Sequence, residues 1–486
     1  MREASEPSAP DWGALQRAIS GDVVLPGSPD YDPARKPAIA RFHDALPQAV
    51  VLCESPAEVS ETVSFARRYG LRTVTRSGGH CFAGRSSTRG VVIDVSPMRS
   101  VSVSGSVATV GAGASLGGLY DALDEYGLTI PAGCGHSVGI SGLTLGGGLG
   151  ILGRKHGLTS DHLLGAQVVL ADGGVIECDE DHEEDLFWAL RGAGGCNFGV
   201  VTSLVFDTVP APDATVFHLT WPPDDAQAVV GAWQDWSPAG PDELAASLLL
   251  TVPSDIDRPP TVNVVGTMLG AEADTEGLLD ELVVRAGVDP ASVFLKHASY
   301  QETKRHLAEH GLSDDRPDGR QFNKSEFFRE PLPGETVAAL VNSLSEGRVD
   351  GQSRELDFTP WGGAYNRVSA DATAFGHREE LFLLLHVVVV NASASAKEKN
   401  AARNWLARSW ASVHPWGSGR VYPNFPDPDL EDWAHAYHGT NLDRLVRVKA
   451  KYDPDGFFGF GQSIPGSSAS GNLQRGGSPP EYPPNG

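Results

Sequence analysis

Residues 131–161 read PAGCGHSVGISGLTLGGGLGILGRKHGLTSD, and the interpretation of the whole chain hangs on them. Ten of these thirty-one residues are glycine. A residue without a Cβ lets the backbone pass close to another backbone or to a ligand. Gly146-Gly147-Gly148-Leu149-Gly150 contains a loose GxGxxG-like string. It is a weak dinucleotide fingerprint, because no clean strand leads into it and no acidic residue sits at a convincing place about twenty residues on. The stretch reads instead as chain threading close past a large flat ligand.

A second glycine loop lies upstream, Arg76-Ser77-Gly78-Gly79-His80, after an expected strand at 71–75. Paired glycines here let backbone N–H groups close around an anion. An ordinary tight turn is the alternative, and spacing alone leaves the two readings even. Around both loops strands and helices alternate densely. Ala49–Leu52 reads as a strand, and Ser55 caps a helix running to about Tyr69, with Glu58 completing a capping box. Residues 90–95 read as a strand, 101–110 as an antiparallel pair, 116–126 as a helix, and 165–172 as a strand turning into 175–178.

Composition narrows the function. The chain has 486 residues with 38 Lys and Arg against 62 Asp and Glu, a net charge of −24 that would repel phosphate backbones. Nucleic acid is therefore not an expected partner. With 41% hydrophobic and 21% charged residues it is a globular chain, not a disordered one. Its five cysteines are scattered and odd in number, which argues against a disulfide framework, and no CxxC pair suggests zinc. The N-terminal MREASEPSAPDWGALQ has no apolar segment of a secretory signal. The most apolar run, LFLLLHVVVV at 381–390, is about half the length that spans a bilayer and reads as a buried strand. A soluble, cytoplasmic protein without membrane contact is expected.

PAPD at 210–213 reads as a junction. From there to about 415, strand patterns (216–221, 246–252, 261–269) interleave with helix patterns (275–287, 335–344), as in an antiparallel sheet covered by helices. Beyond Trp416 the Gly/Pro-rich, aromatic character returns, and 466–486 reads as a disordered tail.

RSGGH, then GLTLGGGLG with RKHGLTSD, then EEDLFWALRGAGGCNFGVVTS, resemble the FAD-binding half of the berberine bridge enzyme-like oxidoreductases, within the vanillyl-alcohol oxidase/p-cresol methylhydroxylase superfamily. YPNFPDPDLEDWAHAYHGTNLDRLVRVKAKYDPDGFFGFGQSIP resembles the same family. The likeness covers most of 25–210 and 360–465, and residues 211–350 carry little of it. It implies a two-lobed α+β fold: an FAD-binding lobe of the p-cresol methylhydroxylase type over 1–210, a substrate lobe over 211–415, and a return segment over 416–465 that completes the FAD lobe.

The resemblance also assigns residues. His80 holds the position of the histidine joined to the flavin 8α-methyl carbon, with a histidine that only bonds the pyrophosphate as the alternative. Ser77, Gly78 and Gly79, following Arg76, would offer N–H groups to the pyrophosphate. Val138, Gly139, Gly142, Gly147 and Gly150 would line the rest of the FAD. Some members carry a second link from a Cys in a Cys-x-x-Val-Gly string. Aligning on Val138-Gly139 puts Gly135, not Cys134, at that Cys, so a single histidyl link is expected and Cys134 is a small buried residue. A one-residue slip would restore the second bond. Cys196 stands where the family's loop has Gly, and Gly456 where Asp455 would be followed by Asn.

The implied chemistry is hydride transfer to flavin from a C–H next to an O–H or N–H, with a base taking the proton. By resemblance the base is Tyr422 of Tyr422-Pro423-Asn424, with Asn424 bonding the flavin; a tyrosine merely packed at the lobe junction is the alternative. Free tyrosine titrates near pH 10, so Tyr422 needs a neighbour's help. Glu355 and Asp357 lie two apart on one face of a strand and could assist, or be solvated. Tyr365 is a weaker pocket candidate. His435 and His438 in HAYH could approach a metal, but no third ligand is evident and a solvated helix face is expected, so no metal is assigned. Arg191 is read as support for its loop, and Glu183-Glu184-Asp185 as the polar start of a helix. The expected activity is a covalent FAD oxidase acting on an alcohol, amine, sugar or natural product, with O2 reduced to H2O2, suited to bacterial secondary metabolism. The alternatives are a dehydrogenase or oxygenase of the same fold with another acceptor, and an FAD-loaded binding protein without turnover.

Overall fold

The computed structural model describes residues 9–309 and 319–466; from residue 467 the expected tail lies outside the described residues. The chain folds as a two-lobed α+β protein. The first lobe contains two sheets. One has the spatial order Val23–Val24, Ala49–Leu52, Val91–Asp94, Thr73–Arg76, parallel except at its first pair. The other is antiparallel, in the order Val101–Ser104, Val107–Gly111, Val200–Asp207, Leu163–Val169, Val175–Asp179.

Helix Pro56–Tyr69 packs between these sheets, burying Val59, Val63, Phe65 and Ala66 on one face. Ser55 caps it, accepting from the Glu58 N–H at 3.4 Å. The expected capping box is only half formed. The Glu58 carboxylate passes over Ser55 and accepts from the N–H groups of Glu54 at 2.8 Å, Ser20 at 3.3 Å and Gly21 at 3.4 Å. A nearly buried carboxylate finds more donors by stapling the N-terminal segment than by closing its own cap. Gly70 ends the helix at φ +62°, a left-handed terminus that suits glycine.

The second lobe is built on a seven-stranded antiparallel sheet. Its order is Ser292–Ala298, Ala214–Trp221, Thr261–Met268, Leu244–Val252, Gln352–Pro360, Phe382–Asn391, Gly319–Phe328. Nine of the ten residues in Phe382–Asn391 are buried, as its apolar run requires. Helices Ala226–Trp236, Gly334–Ser345 and Ala396–Val413 cover one face through an apolar core that includes Trp233, Leu340 and Trp405. The opposite face turns toward the first lobe. Strands Ser292–Ala298 and Gly319–Phe328, the two edges, did not stand out in the sequence. Edge strands tolerate polar residues on both faces, which blurs their alternation.

The C-terminal segment returns to the first lobe. Helix Leu442–Tyr452 packs on helix Glu184–Leu190. Lys449, buried, pairs with Asp453 at 2.6 Å and donates to the carbonyls of Phe458 and Asn197, tying the return segment to the Cys196 loop. At φ +65° Gly456 takes the left-handed backbone that Asn or Gly both accept, so its departure from the family pattern is conservative.

Candidate active site

A cavity of about 320 Å³ runs between the glycine loops of the first lobe and the open sheet face of the second. The Arg76–His80 loop forms one wall. Arg76 anchors it from within, donating to the carbonyls of Ser86 at 3.1 Å, Ala34 at 2.6 Å and Arg35 at 2.9 Å. Gly78 lies against Gly139 of the second loop. A Cβ on Gly78 would sit 2.3 Å from the Gly139 nitrogen, so both positions must be glycine. Such a cradle, open to backbone N–H groups and closed to side chains, fits the pyrophosphate of FAD. His80 lines the cavity beside it, with Ser137 Oγ 3.0 Å from its Nε2.

Cys134, Val138, Gly139, Gly142 and Gly150 line the same cavity, as do Ser77, Gly79, Tyr422 and Asn424. Gly147 stands apart. At φ +116° it lies beneath the Phe375 ring and is not in the cavity wall.

Tyr422 is buried among Phe327, Trp361, Tyr365, Phe375 and Leu383, an aromatic cluster where the lobes meet. Its Oη accepts from the N–H groups of Gly148 at 2.9 Å and Leu149 at 3.2 Å, and from the Asn424 amide at 3.1 Å. Three donors converge on one phenol oxygen, an arrangement that stabilises negative charge there. Asn424 also donates to the Leu143 carbonyl at 2.8 Å, which orients its amide. Tyr365 contrasts with Tyr422. Its Oη meets both the N–H of Gly150 at 3.3 Å and the carbonyl of Gly150 at 3.2 Å, and burial pushes its pKa up. It is a neutral wall residue, stacked 4.2 Å from Trp361.

On the sheet face, Glu355 and Asp357 both reach the cavity. Glu355 is 9% exposed and accepts from Thr251 Oγ1 at 3.3 Å; Asp357 accepts from Thr359 Oγ1 at 3.3 Å. A freely solvated strand face is thus ruled out for the pair. Across the strand register Glu355 neighbours Val387 and Asp357 neighbours Leu385, so the acids border an apolar strip. Gln321 joins them from the edge strand that the sequence reading missed. Two arginines hold the lobes together over this site. Arg154 donates to the carbonyls of Pro238 at 2.9 Å, Gly240 at 2.7 Å and Trp361 at 2.5 Å. Arg378 grips Asp161 through two bonds, at 2.6 and 2.9 Å.

The geometry meets the comparisons with known proteins. Residues 47–179 match the FAD binding domain family, and residues 421–465 match the family described as berberine and berberine like. An uncharacterized FAD-linked oxidoreductase of Bacillus subtilis, YgaK, is 32% identical over 92% of this chain and 97% of its own length. The chain belongs to the berberine bridge enzyme-like FAD-linked oxidoreductases. Two solved members of this fold are chitooligosaccharide oxidase and berberine bridge enzyme from Eschscholzia californica. The first aligns at TM-score 0.82 and 27% identity, covering 94% of this chain and 99% of its own. The second aligns at TM-score 0.84 and 26% identity, covering 93% and 98%. This family member is an FAD-dependent oxidoreductase, and among its described residues no helix is long and apolar enough to cross a membrane.

Two further polar residues, one of them read otherwise in the sequence, find their places in the fold. The HAYH segment is not a solvated helix face. His435 is exposed, but His438 is 3% exposed, and no metal-ligand cluster forms among the described residues. Burial, followed by the nearby Arg85, brings the His438 pKa down to about 3. Cys196, where the family has Gly, keeps the glycine backbone at φ +67° and sits in the cavity wall with its Sγ 3.0 Å from Thr75 Oγ1. The left-handed conformation disfavours a side chain by about 1–2 kcal/mol. Cys196→Gly is therefore expected to keep its flavin and lie within about 1 kcal/mol of wild type. Cys196→Val, β-branched at the same φ, should melt several degrees lower with less flavin bound. Flavin absorbance and thermal melts of both variants check this, and a Val variant equal to wild type would contradict it.

Proposed function

We propose that this oxidoreductase is an oxidase whose FAD is joined to His80 and whose base is Tyr422. The observation that carries the reading is the convergence of the Gly148, Leu149 and Asn424 donors on Tyr422 Oη. Bound FAD supplies the acceptor for a hydride, and dioxygen then takes the two electrons with release of H2O2. The protein's own residues do the rest. Tyr422, on whose oxygen the three donors converge, takes the proton from a substrate O–H or N–H while the adjacent C–H bond breaks, leaving a C=O or C=N bond. The aromatic cluster fixes its ring and keeps water from it. Glu355 and Asp357 accept hydrogen bonds from the substrate's remaining O–H or N–H groups, and Leu385 and Val387 meet its apolar face. These features suit a small alcohol, amine, sugar or natural product. The oxidase reading gains support from the likeness to chitooligosaccharide oxidase.

The test starts with acid precipitation of purified protein. Yellow colour should stay with the pellet and the intact mass should include FAD. His80→Ala should then release essentially all flavin into the supernatant. Flavin that washes freely from wild type would sink the covalent assignment. Peroxide release in air, with a panel of alcohols, amines and aldoses, tests the acceptor. A substrate that bleaches the flavin without air but yields no peroxide in air would point to another acceptor.

A further inference from the structure

Behind the wall of the cavity lies a buried cation that the chemistry above does not use. Lys304, on helix Tyr300–Glu309 of the substrate lobe, is 1% exposed. It crosses the lobe boundary to reach the first glycine-rich loop. Its Nζ donates to the carbonyls of Ala132 at 2.6 Å and Gly133 at 3.1 Å and to Tyr120 Oη at 3.2 Å, and stands 3.9 Å from Cys134 Sγ. The rings of Tyr120 and Tyr300 flank it at 4.7 and 5.2 Å. Three oxygen acceptors take the three N–H bonds of an ammonium. Among the described residues no carboxylate pairs with it, so its positive charge is not neutralised locally.

Location gives this charge its meaning. Gly133 and Cys134 line the cavity while Ala132 lies directly behind. Ala132 is also pinned from the other side: a Cβ on Gly150 would sit 2.1 Å from its carbonyl oxygen. The Ala132–Cys134 strip is thus clamped between Gly150 and the ammonium. Burying an ammonium without a carboxylate partner is costly, and here three oxygen acceptors and two ring faces hold it in place while leaving its net charge beside the cavity wall.

We propose that Lys304 is a positioning residue for the bound flavin: it sets the 132–134 wall and places a fixed positive charge behind it that favours electron uptake by the ring. The inference rests on FAD occupying this cavity. At an effective dielectric near 20, a fixed unit charge on the order of 10 Å from a developing one changes an equilibrium roughly tenfold, and this is the size of effect the proposal expects.

Sulfite, an anion that adds to electron-poor oxidised flavins, is the probe. Wild type, Lys304→Arg, Lys304→Gln and Lys304→Met are purified with FAD, titrated with sulfite at the visible band, and measured for midpoint potential. Lys304→Gln and Lys304→Met should bind sulfite about tenfold more weakly, equivalent to a potential lower by about 30 mV for two electrons. Lys304→Arg should stay close to wild type. FAD-loaded Lys304→Gln with unchanged sulfite affinity and potential would overturn the proposal. Should Lys304→Met fail to fold, Lys304→Gln decides, because it keeps N–H donors for the carbonyls without the charge. Folded but flavin-free Gln and Met variants would overturn the electrostatic role, since the residue would then act only by setting the wall. Wild type without flavin would instead sink the FAD assignment itself.

Discussion

Tyr422→Phe should slow flavin reduction by about 10²- to 10⁴-fold, the range over which a positioned base acts. The substitution removes one oxygen and keeps the ring. The ring's contacts with Phe327, Trp361, Phe375 and Phe425 therefore survive. What disappears is the atom on which the Gly148, Leu149 and Asn424 donors converge. Their loss of a buried acceptor destabilises the protein by about 1–3 kcal/mol, so flavin content and melting temperature must be read beside the rate. The decisive measurement is anaerobic stopped-flow reduction, with whichever alcohol or amine bleaches the wild type. A loaded variant that loses less than about tenfold would remove Tyr422 as the base and turn attention to Glu355 and Asp357. Substitution of Asn424 by Asp makes a companion test. It exchanges a donor to the phenol oxygen for a carboxylate beside it, and should slow reduction in the same direction.

The protein should also lose stability steeply in mild acid. His377, His386 and His438 are each at most 3% exposed, and burial, reinforced by neighbouring cations, brings each pKa down to about 3. In the unfolded chain each titrates near 6.5. Above that pH both states are neutral at these sites and nothing is lost. Below it the unfolded chain takes up protons that the folded chain refuses, so stability falls as pH drops toward 3. Three such residues give a slope of about 4 kcal/mol per pH unit. Glu326, Glu380 and Asp94 act in the opposite sense, because burial raises their pKa values and the folded state accepts protons there more readily. They offset part of the loss as pH approaches the carboxylate range. Melting temperatures between pH 7 and 4.5 should fall sharply, and His438→Gln should flatten the curve. Stability independent of pH from 6.5 to 5 would contradict the burial of these rings.

Much of this was legible in the sequence, and for identifiable reasons. A left-handed or sterically closed backbone position can be filled by almost nothing but glycine, so RSGGH and the 131–161 stretch marked close backbone approach, while a ligand loop and a tight turn stayed even readings of RSGGH until the family motifs were read beside it. Apolar periodicity exposed the helices and the central strands, because burial of one face is enforced residue by residue. The Tyr422-Pro423-Asn424 motif and the acidic pair at 355 and 357 were visible as chemistry without a place. The tertiary structure decided where each one stands. Gly147 looks like its glycine neighbours in the sequence, but Phe375, more than two hundred residues away, covers it. Glu58 fits a capping box until the N-terminal segment offers it further donors. HAYH reads as polar because nothing local reveals what packs over His438. Lys304 is an ordinary helix lysine until the lobes close and its ammonium meets the carbonyls of 132 and 133. The sequence by itself carried the resemblance to the family and, with it, the cofactor class, because those motifs are contiguous runs of residues; its glycines also marked where the backbone passes closely. Which side chains bear charge in the dark of the site, and which oxygen three donors meet, depends on contacts between distant segments, and only the folded chain decides them.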